Sequence, residues 1–561
     1  MEVEAKPHVR TSAASTSSPF ETAVDPKASA ITTPHPSNVS DRVLAWADAH
    51  RWKLFAFVLA LYLLGFNGQW RLDADSALYL TIGRNLAEGR GYTYHGEHHT
   101  LAYPGMPWLF GGLFKVFGTD GVLPADAVML ACGLTTLALV YRLFRLHAGR
   151  PTAVLMTVVV GLSRMFFRYS FELLSDVPFL MGVMAFLAGC EAVVYGHERR
   201  RGPPRWYDVA LLVGGLAVAV VTRPTMWALV AAGVVVVLLS LFKRPLRWRW
   251  LAAGSALVLA AAVTVAVLFQ RVGGDYERVF LDTLDNPGEV TRVMLSRNLP
   301  EVLQPGAAEA VFGFDWGRVG VGGARVPVAV VPSVLSLAAG FWVVRRRLLW
   351  GVWVAMSVGM MLVTLVEVRY FLQVLPLLLY GWWLMLAWLD RRLAGRGLLS
   401  LVPMVLFTLL VLVNAGRAAT LIVEQRGVPF LDGYRHGKYA MVPELTRLLR
   451  GQTPEQAWVL VPERQLGRIL TFTSRRYAVE PGPVTQLNPE LQTVYVLEPL
   501  EDDVRAWMPL LRMGVGEAVG PAVKGKRGKE WQLHRAVRTP PPPPDYPVPG
   551  AARQARSGAA S

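Results

Sequence analysis

Asp73 and Asp75 stand two residues apart in Trp70-Arg-Leu-Asp73-Ala-Asp75-Ser-Ala-Leu-Tyr79, directly after the first long apolar run. A carboxylate where an apolar helix meets water is ionised at neutral pH without any special environment. It can accept a proton from a hydroxyl while a lipid-borne substrate lies beside it. Residues two apart face one side only in an extended chain; in a helix they diverge, and one of them is structural. The layout that fits is an extended stretch leading to Asp75 at or near the N-cap of a helix. An ordinary capping carboxylate is the competing reading of Asp75.

Further charged residues sit on other turns between apolar runs. Glu172 and Asp176, in Ser170-Phe-Glu172-Leu-Leu-Ser175-Asp176-Val-Pro178, are four apart, which puts both on one helical face. Asp176 is either a second acid of a site or a charge at a helix N-terminus. Thr222-Arg223-Pro224 joins two apolar runs with no room for a loop, and an arginine at that depth is costly unless paired. Its guanidinium and the helix start at Pro224 can hold one anion together, or Arg223 can reach lipid headgroups. Glu367-Val-Arg369-Tyr370 links two more runs. Two arginines meeting one phosphate or diphosphate are a stronger signal than either alone. His95, His98 and His99 with Glu97 fall in a Gly-rich stretch and read as a solvated loop, so no metal site is assigned.

The elements that position these residues are mostly membrane helices. The chain has 561 residues, 53% of them hydrophobic and 17% charged. Apolar runs of roughly 20 residues are long enough to cross a bilayer. About eleven spans are expected, near 53–70, 121–144, 152–169, 174–196, 207–222, 224–242, 250–269, 326–344, 348–366, 370–389 and 398–416. The formal charge of +16 is spread over short loops such as Arg199-Arg200-Arg201 and Arg345-Arg346-Arg347. That is the positive-inside pattern, not a nucleic-acid surface. Alternation from a cytoplasmic N-terminus puts the basic loops inside. It puts Asp73, Asp75, Asp176, Arg223, Arg369 and Tyr370 outside together. Cys132 and Cys190, both within apolar runs, read as core thiols.

Residues 1–45 read as a disordered cytoplasmic tail, rich in small and polar residues. Residues 46–416 form the membrane domain, whose outer loop 71–120 carries the acidic motif. Within that loop Ser76–Glu88 has helical periodicity closed by Gly89 and Gly91, and Met106–Phe117 is a second short helix. Both are expected to lie on the outer leaflet. Residues 417–538 alternate apolar strands, near 458–461 and 494–497, with helices near 464–472 and 502–512, and end in an edge strand near 530–537. They predict a small extracytoplasmic α/β domain. Residues 539–561 are a Pro-rich disordered tail.

The ordered set of motifs resembles the GT-C glycosyltransferases over about residues 50–535. These are polytopic enzymes that use polyprenyl-phosphate sugars, among them protein O-mannosyltransferases, the lipid A aminoarabinose transferase and bacterial lipopolysaccharide-core transferases. The resemblance rests on Asp75-Ser-Ala-Leu-Tyr79 with Ala87-Glu-Gly-Arg-Gly91-Tyr92, Tyr103-Pro-Gly-Met-Pro107-Trp108, Leu174-Ser-Asp176-Val-Pro178, Thr222-Arg223-Pro224, and Arg369-Tyr370 with Pro376. It implies that the first outer loop supplies the catalytic acid, at Asp75. An acid commonly follows directly in that family, where this chain has Ser76. That departure leaves a divalent metal, and a share of the role for Asp73, open.

The expectation is an α-helical polytopic glycosyltransferase of a bacterial inner membrane, its site facing the periplasm. It transfers a sugar from a polyprenyl-phosphate donor to an extracytoplasmic lipid, glycan or protein, with no nucleic-acid partner. Asp75, with Asp73 and Asp176 as further candidates, supplies the catalytic carboxylate. Arg223, Arg369 and Tyr370 hold the donor phosphate. A transporter or lipid flippase without transferase activity is the alternative, and it calls for ionisable residues or broken helices at mid-membrane.

Overall fold

In the computed structural model every expected span that falls within the described residues contains a helix. The structure describes residues 38–119, 121–193, 205–241, 286–313, 325–364, 366–426, 439, 441–479, 493–499, 513–524 and 530–538. The span at 250–269, the expected helix at 502–512 and the C-terminal tail lie outside the described residues. Among those described, Leu123–Ala148, Asp176–Val193, Val368–Leu393 and Gly397–Glu424 are long and apolar enough to cross a membrane. Arg150–Leu162, Trp206–Thr222, Met226–Val235, Val330–Arg345 and Leu348–Val363 are shorter apolar helices.

The first part of the chain forms α1 (Val39–Ala49), α2 (Arg51–Gly65), α3 (Ala74–Ala87) and α4 (Gly105–Phe117). Residues 1–37 lie outside the described residues. From Val39 onward the expected tail is helical instead, because α1 buries Ser40 and Ala47 against the bundle. Then follow α5 (Leu123–Ala148), α6 (Arg150–Leu162), α7 (Arg164–Tyr169), α8 (Asp176–Val193) and α9 (Trp206–Thr222). Cys132 and the buried Cys190 are free thiols.

Helices α8 and α9 meet backbone to backbone. A Cβ on Gly215 would lie 2.4 Å from the Phe186 amide nitrogen and 2.6 Å from the Gly182 carbonyl oxygen, and one on Gly189 would lie 2.6 Å from the Leu212 nitrogen. Small residues permit such close crossings within a membrane. Gly215→Val therefore forces the helices apart. Its cost is expected at or above the upper end of the usual overpacking range of about 1–3 kcal/mol. The check is the yield of monodisperse protein and its melting temperature in detergent.

α3 is packed within the protein. Its residues from Ser76 to Asn85 are mostly buried, because protein covers both sides of it. On one side Gly83 lets α4 approach: a Cβ there would lie 2.9 Å from the Phe110 Cβ. On the other side stands the helix Arg464–Ser474 (α10). Arg84 Nη1 donates to the Phe472 carbonyl at 2.9 Å, and the Trp70 and Phe472 rings meet edge to face at 5.1 Å. Gly89, at φ +78°, takes the left-handed conformation that ends α3.

The C-terminal part of the chain builds a six-stranded mixed sheet. β3 (Trp458–Leu460) runs parallel to β4 (Tyr477–Val479) and β5 (Thr493–Pro499), and α10 connects β3 to β4. β8 (Glu530–Arg538) pairs antiparallel with β5 and also with β6 (Met513–Ala518) and the short β7 (Val523–Lys524). The expected edge strand at 530–537 is thus an interior strand. Its outer neighbour β6 reads Met-Gly-Val-Gly-Glu-Ala, and the two glycines hide a strand from a propensity reading. The remaining strands, β1 (Thr93–Tyr94) and β2 (Glu97–His98), form a hairpin.

Candidate active site

Asp75 is clasped by two arginines from remote parts of the chain. Arg369 Nη2 donates to its Oδ2 at 2.7 Å, and Arg468 Nη1 donates to its Oδ1 at 2.8 Å. The sequence places the three groups as follows. Asp75 sits in the first turn of α3, where a negative charge suits the helix dipole. Arg369 lies on a 3-10 turn, Val368–Val374, which precedes the helix Leu375–Leu393. Arg468 projects from α10.

The N-cap is Asp73, not Asp75. Asp73 is extended, at φ −139° and ψ 146°, and its Oδ1 accepts from the amides of Asp75 (2.8 Å) and Ser76 (3.4 Å). Ser76 in turn donates to the Asp73 carbonyl at 2.8 Å and accepts from the Trp70 indole at 2.8 Å. The cap therefore fixes the turn, and Asp75, released from capping, faces the cavity. Asp73→Ala is expected to cost about 1 kcal/mol of stability and Asp73→Asn only a fraction of that, because Asn caps as well as Asp. Thermal melts of the two variants check this.

The two carboxylates are pushed apart. Burial works to raise Asp75, but Arg369, then Arg468 and Arg223, outweigh it and hold the carboxyl below its usual range. Burial raises Asp73, and the charge of Asp75 adds to the rise. At neutral pH Asp75 is firmly ionised, and Asp73 holds its proton to higher pH than a free aspartate.

A cavity of about 390 Å³ surrounds the clasp. Asp73, Asp75, Glu172 and Glu367 supply its carboxylates, and Arg168, Arg369, Arg464 and Arg468 its guanidiniums. Arg369 Nε lies 2.5 Å from Glu367 Oε2, and Arg168 donates to Glu172 at 2.7 Å. Tyr439 closes one side, its hydroxyl donating to Gln465 Oε1 at 3.0 Å.

Asp176, Arg223 and Tyr370 stand behind this cavity and do not line it. The buried Asp176 forms an ion pair with the half-buried Arg223. The Arg223 guanidinium lies 4.6 Å from the centre of the Tyr370 ring, and that of Arg369 lies 5.5 Å from it. Tyr370 thus separates a spent cation, Arg223, from one that reaches the cavity. Glu172 and Asp176 do not share a helical face: α7 ends at Tyr169, Glu172 lies in the turn, and α8 begins at Asp176.

The histidine stretch is docked at His95, while Glu97 and His98 are exposed. His95 contacts Thr471 Oγ1 at 3.1 Å and packs on Trp458 and Tyr477. Burial, reinforced by neighbouring positive charge, lowers His95 to about 3 and His99 to about 4, so both are neutral at physiological pH. No group of three His, Cys, Asp or Glu side chains converges among the described residues. The Oδ1 of Asp73 is taken by amides and both oxygens of Asp75 by guanidiniums. This donor set does not fit a divalent ion as it stands.

Arg168, Arg464, Arg468 and Tyr439 escape a reading of the sequence. A signal was present for two of them: Arg464 and Arg468 are four apart on a predicted helix and so share a face.

Residues 98–268 match the family of dolichyl-phosphate-mannose-protein mannosyltransferases. No curated protein matches the sequence. Among solved structures the chain is similar to ArnT from Cupriavidus metallidurans in the apo state, at 16% identity and a TM-score of 0.50, covering 87% of this chain and 98% of that one. ArnT of the same organism bound to undecaprenyl phosphate gives 16% identity, the same coverage and a TM-score of 0.49. The Archaeoglobus fulgidus oligosaccharyltransferase in complex with zinc and sulfate gives 13% identity and a TM-score of 0.47, over 85% of this chain and 72% of that one. The family match and the fold shared with apo ArnT bear out the resemblance to the GT-C glycosyltransferases.

Proposed function

We propose that this chain is a multi-pass membrane glycosyltransferase that takes a sugar from a polyprenyl-phosphate carrier and places it on an extracytoplasmic acceptor. The observation that carries the reading is the clasp: an ionised Asp75 between Arg369 and Arg468 at the edge of the bundle, in a cavity large enough for a sugar. The undecaprenyl phosphate bound to ArnT in one similar structure supports a donor of that class. The basic loops support a cytoplasmic N-terminus and a periplasmic site in a bacterial inner membrane.

In the reaction the acceptor hydroxyl attacks the anomeric carbon of the donor sugar. Its proton passes to the Asp75 carboxylate, and the carbon–oxygen bond to phosphate breaks. Polyprenyl phosphate leaves with the electron pair. Negative charge grows on that phosphate, so fixed cations beside it lower the barrier. Arg369 and Arg468 are placed for this, with Arg168 and Arg464 on the same cavity wall.

The clasp sets a sequence of events. While both arginines hold Asp75, the carboxylate is a poor base. A donor phosphate carries more charge than a carboxylate and competes for the same guanidiniums. Donor binding therefore draws the arginines from Asp75 and exposes its lone pairs to the acceptor. Asp176, Arg223 and Tyr370 act behind them by holding Arg369 in place. Asp73 fixes the turn and stands as the second candidate for the base.

Envelope lipid and glycan profiling of a deletion strain tests the reading. A missing sugar on one acceptor, restored by the wild-type gene and not by an Asp75→Asn gene, is the expected result. An unchanged envelope profile would remove the transferase assignment. Loss of transport with intact transfer would favour the transporter alternative.

A further inference from the structure

At the other end of the bundle lies a second cavity, of about 420 Å³. The helix Leu348–Val363, about 24 Å long at 1.5 Å per residue, separates its arginines from the Glu367–Arg369 turn. Arg345, Arg346, Arg347 and Arg391 line it, and the only carboxylate among the lining residues is Asp41. Arg347 is spent on the buried Glu191, to which it donates at 2.7 and 2.9 Å. Arg345, Arg346 and Arg391 have no acidic partner among the described residues. The Arg345 guanidinium instead rests 4.0 Å from the centre of the Trp342 ring.

The start of α1 adds a second, independent sign of a ligand. Ser40 lines this cavity and is 1% exposed. Its amide donates to Asp390 Oδ2 at 2.9 Å, which fixes its place. Its hydroxyl has no hydrogen-bond partner among the described residues. A buried hydroxyl left in this state is costly unless something else completes it.

The surroundings identify what that is. Next to the arginines the surface is apolar and exposed, at Phe341, Val344 and Trp388. Trp46 and Trp52, on α1 and α2, are also exposed. Tryptophans collect at the depth of lipid headgroups. Tyr380, Trp383 and Leu384 give the cavity an apolar floor. A freely soluble anion needs the arginines but not an apolar floor beside an apolar surface; a phospholipid uses both.

We propose that this cavity binds the phosphate of an anionic phospholipid headgroup, with Arg345, Arg346 and Arg391 as its charge partners and the Ser40 hydroxyl as a hydrogen-bond donor. The site is separate from the sugar-transfer cavity and does not depend on the function proposed for it.

The test is native mass spectrometry and thermal melting of the full chain in nanodiscs. Phosphatidylglycerol is compared with phosphatidylcholine, and millimolar inorganic phosphate is added in a separate arm. Wild type is expected to retain phosphatidylglycerol in preference to phosphatidylcholine and to melt higher with it. In the Arg346→Ala/Arg391→Ala variant the apparent affinity for phosphatidylglycerol should fall about twenty-five-fold, since each arginine beside an anionic headgroup is worth about fivefold. Ser40→Ala should weaken it further. Equal retention of the two lipids by wild type overturns the proposal, and that arm needs no variant to fold. Undiminished phosphatidylglycerol binding by the double variant also overturns it. Full protection by inorganic phosphate alone would make the ligand a soluble anion and not a lipid.

Discussion

Asp75→Asn is expected to reduce kcat by on the order of a hundredfold or more, within the usual range for loss of a general base. The size of the side chain is kept and its basicity is lost. The cap is untouched, because Asp73 makes it. Expression should therefore stay close to wild type, while the lost ion pairs to Arg369 and Arg468 lower the melting temperature, which is read beside the kinetics. The clasp adds a second expectation. With the charge of Asp75 gone, Arg369 and Arg468 lose their competing carboxylate and are free for the donor phosphate. KM for the donor should stay level or fall while kcat collapses, a split that a simple structural lesion does not give.

The pH profile separates Asp75 from Asp73. A general base works only when ionised, so kcat/KM falls as pH drops through its pKa in the free enzyme. Asp75 is held below 3.8, which puts its acid limb below the ordinary carboxylate range. Asp73 is raised, which puts its limb above that range. Stability follows the same sign for Asp75: its ion pairs stabilise the fold above the unfolded pKa and are lost as pH falls through the folded one. A high acid limb together with an active Asp75→Asn enzyme would transfer the role to Asp73. Full activity in Asp75→Asn, Asp73→Asn and Asp176→Asn would remove the general-base mechanism altogether.

The parts of this fold that were legible in the sequence are those written in local pattern. Long apolar runs gave the helices. The apolar run at Val494-Tyr-Val-Leu497 and the glycines at Gly89 and Gly91 gave a strand and a helix end. The candidate acid was legible too, as a carboxylate just past an apolar run. What resisted was anything decided across the chain. Arg468 is 393 residues from Asp75, and nothing local to either predicts their contact. The identity of the N-cap turned on two residues, within the ordinary uncertainty of helix boundaries. Whether an arginine near a bundle edge meets a ligand or a carboxylate depends on what packs beside it. Arg223 found Asp176 and is spent, whereas Arg369, one aromatic ring away, reaches the cavity.

Arg369→Ala is the second large effect, expected to lower kcat/KM for the lipid donor on the order of a hundredfold, as loss of one fixed donor to a developing oxyanion does. Unlike Asp75→Asn it should raise donor KM as well, because a guanidinium also binds the ground-state phosphate. The substitution leaves Asp75 and Glu367 without a partner they share, so the melting temperature must be read beside the kinetics. Arg369→Lys guards against a folding artefact: it keeps the charge, loses the planar fork and should recover only part of the rate. Arg468→Ala should move the same constants in the same direction. The sharper test is the double variant Asp75→Asn/Arg369→Ala. If the arginine serves both to hold Asp75 and to take the phosphate, the two substitutions are not additive, and the cycle returns a coupling between two residues in contact. Strict additivity would mean that Arg369 and Asp75 act in separate steps. Unchanged donor constants in Arg369→Ala would take this arginine out of the site.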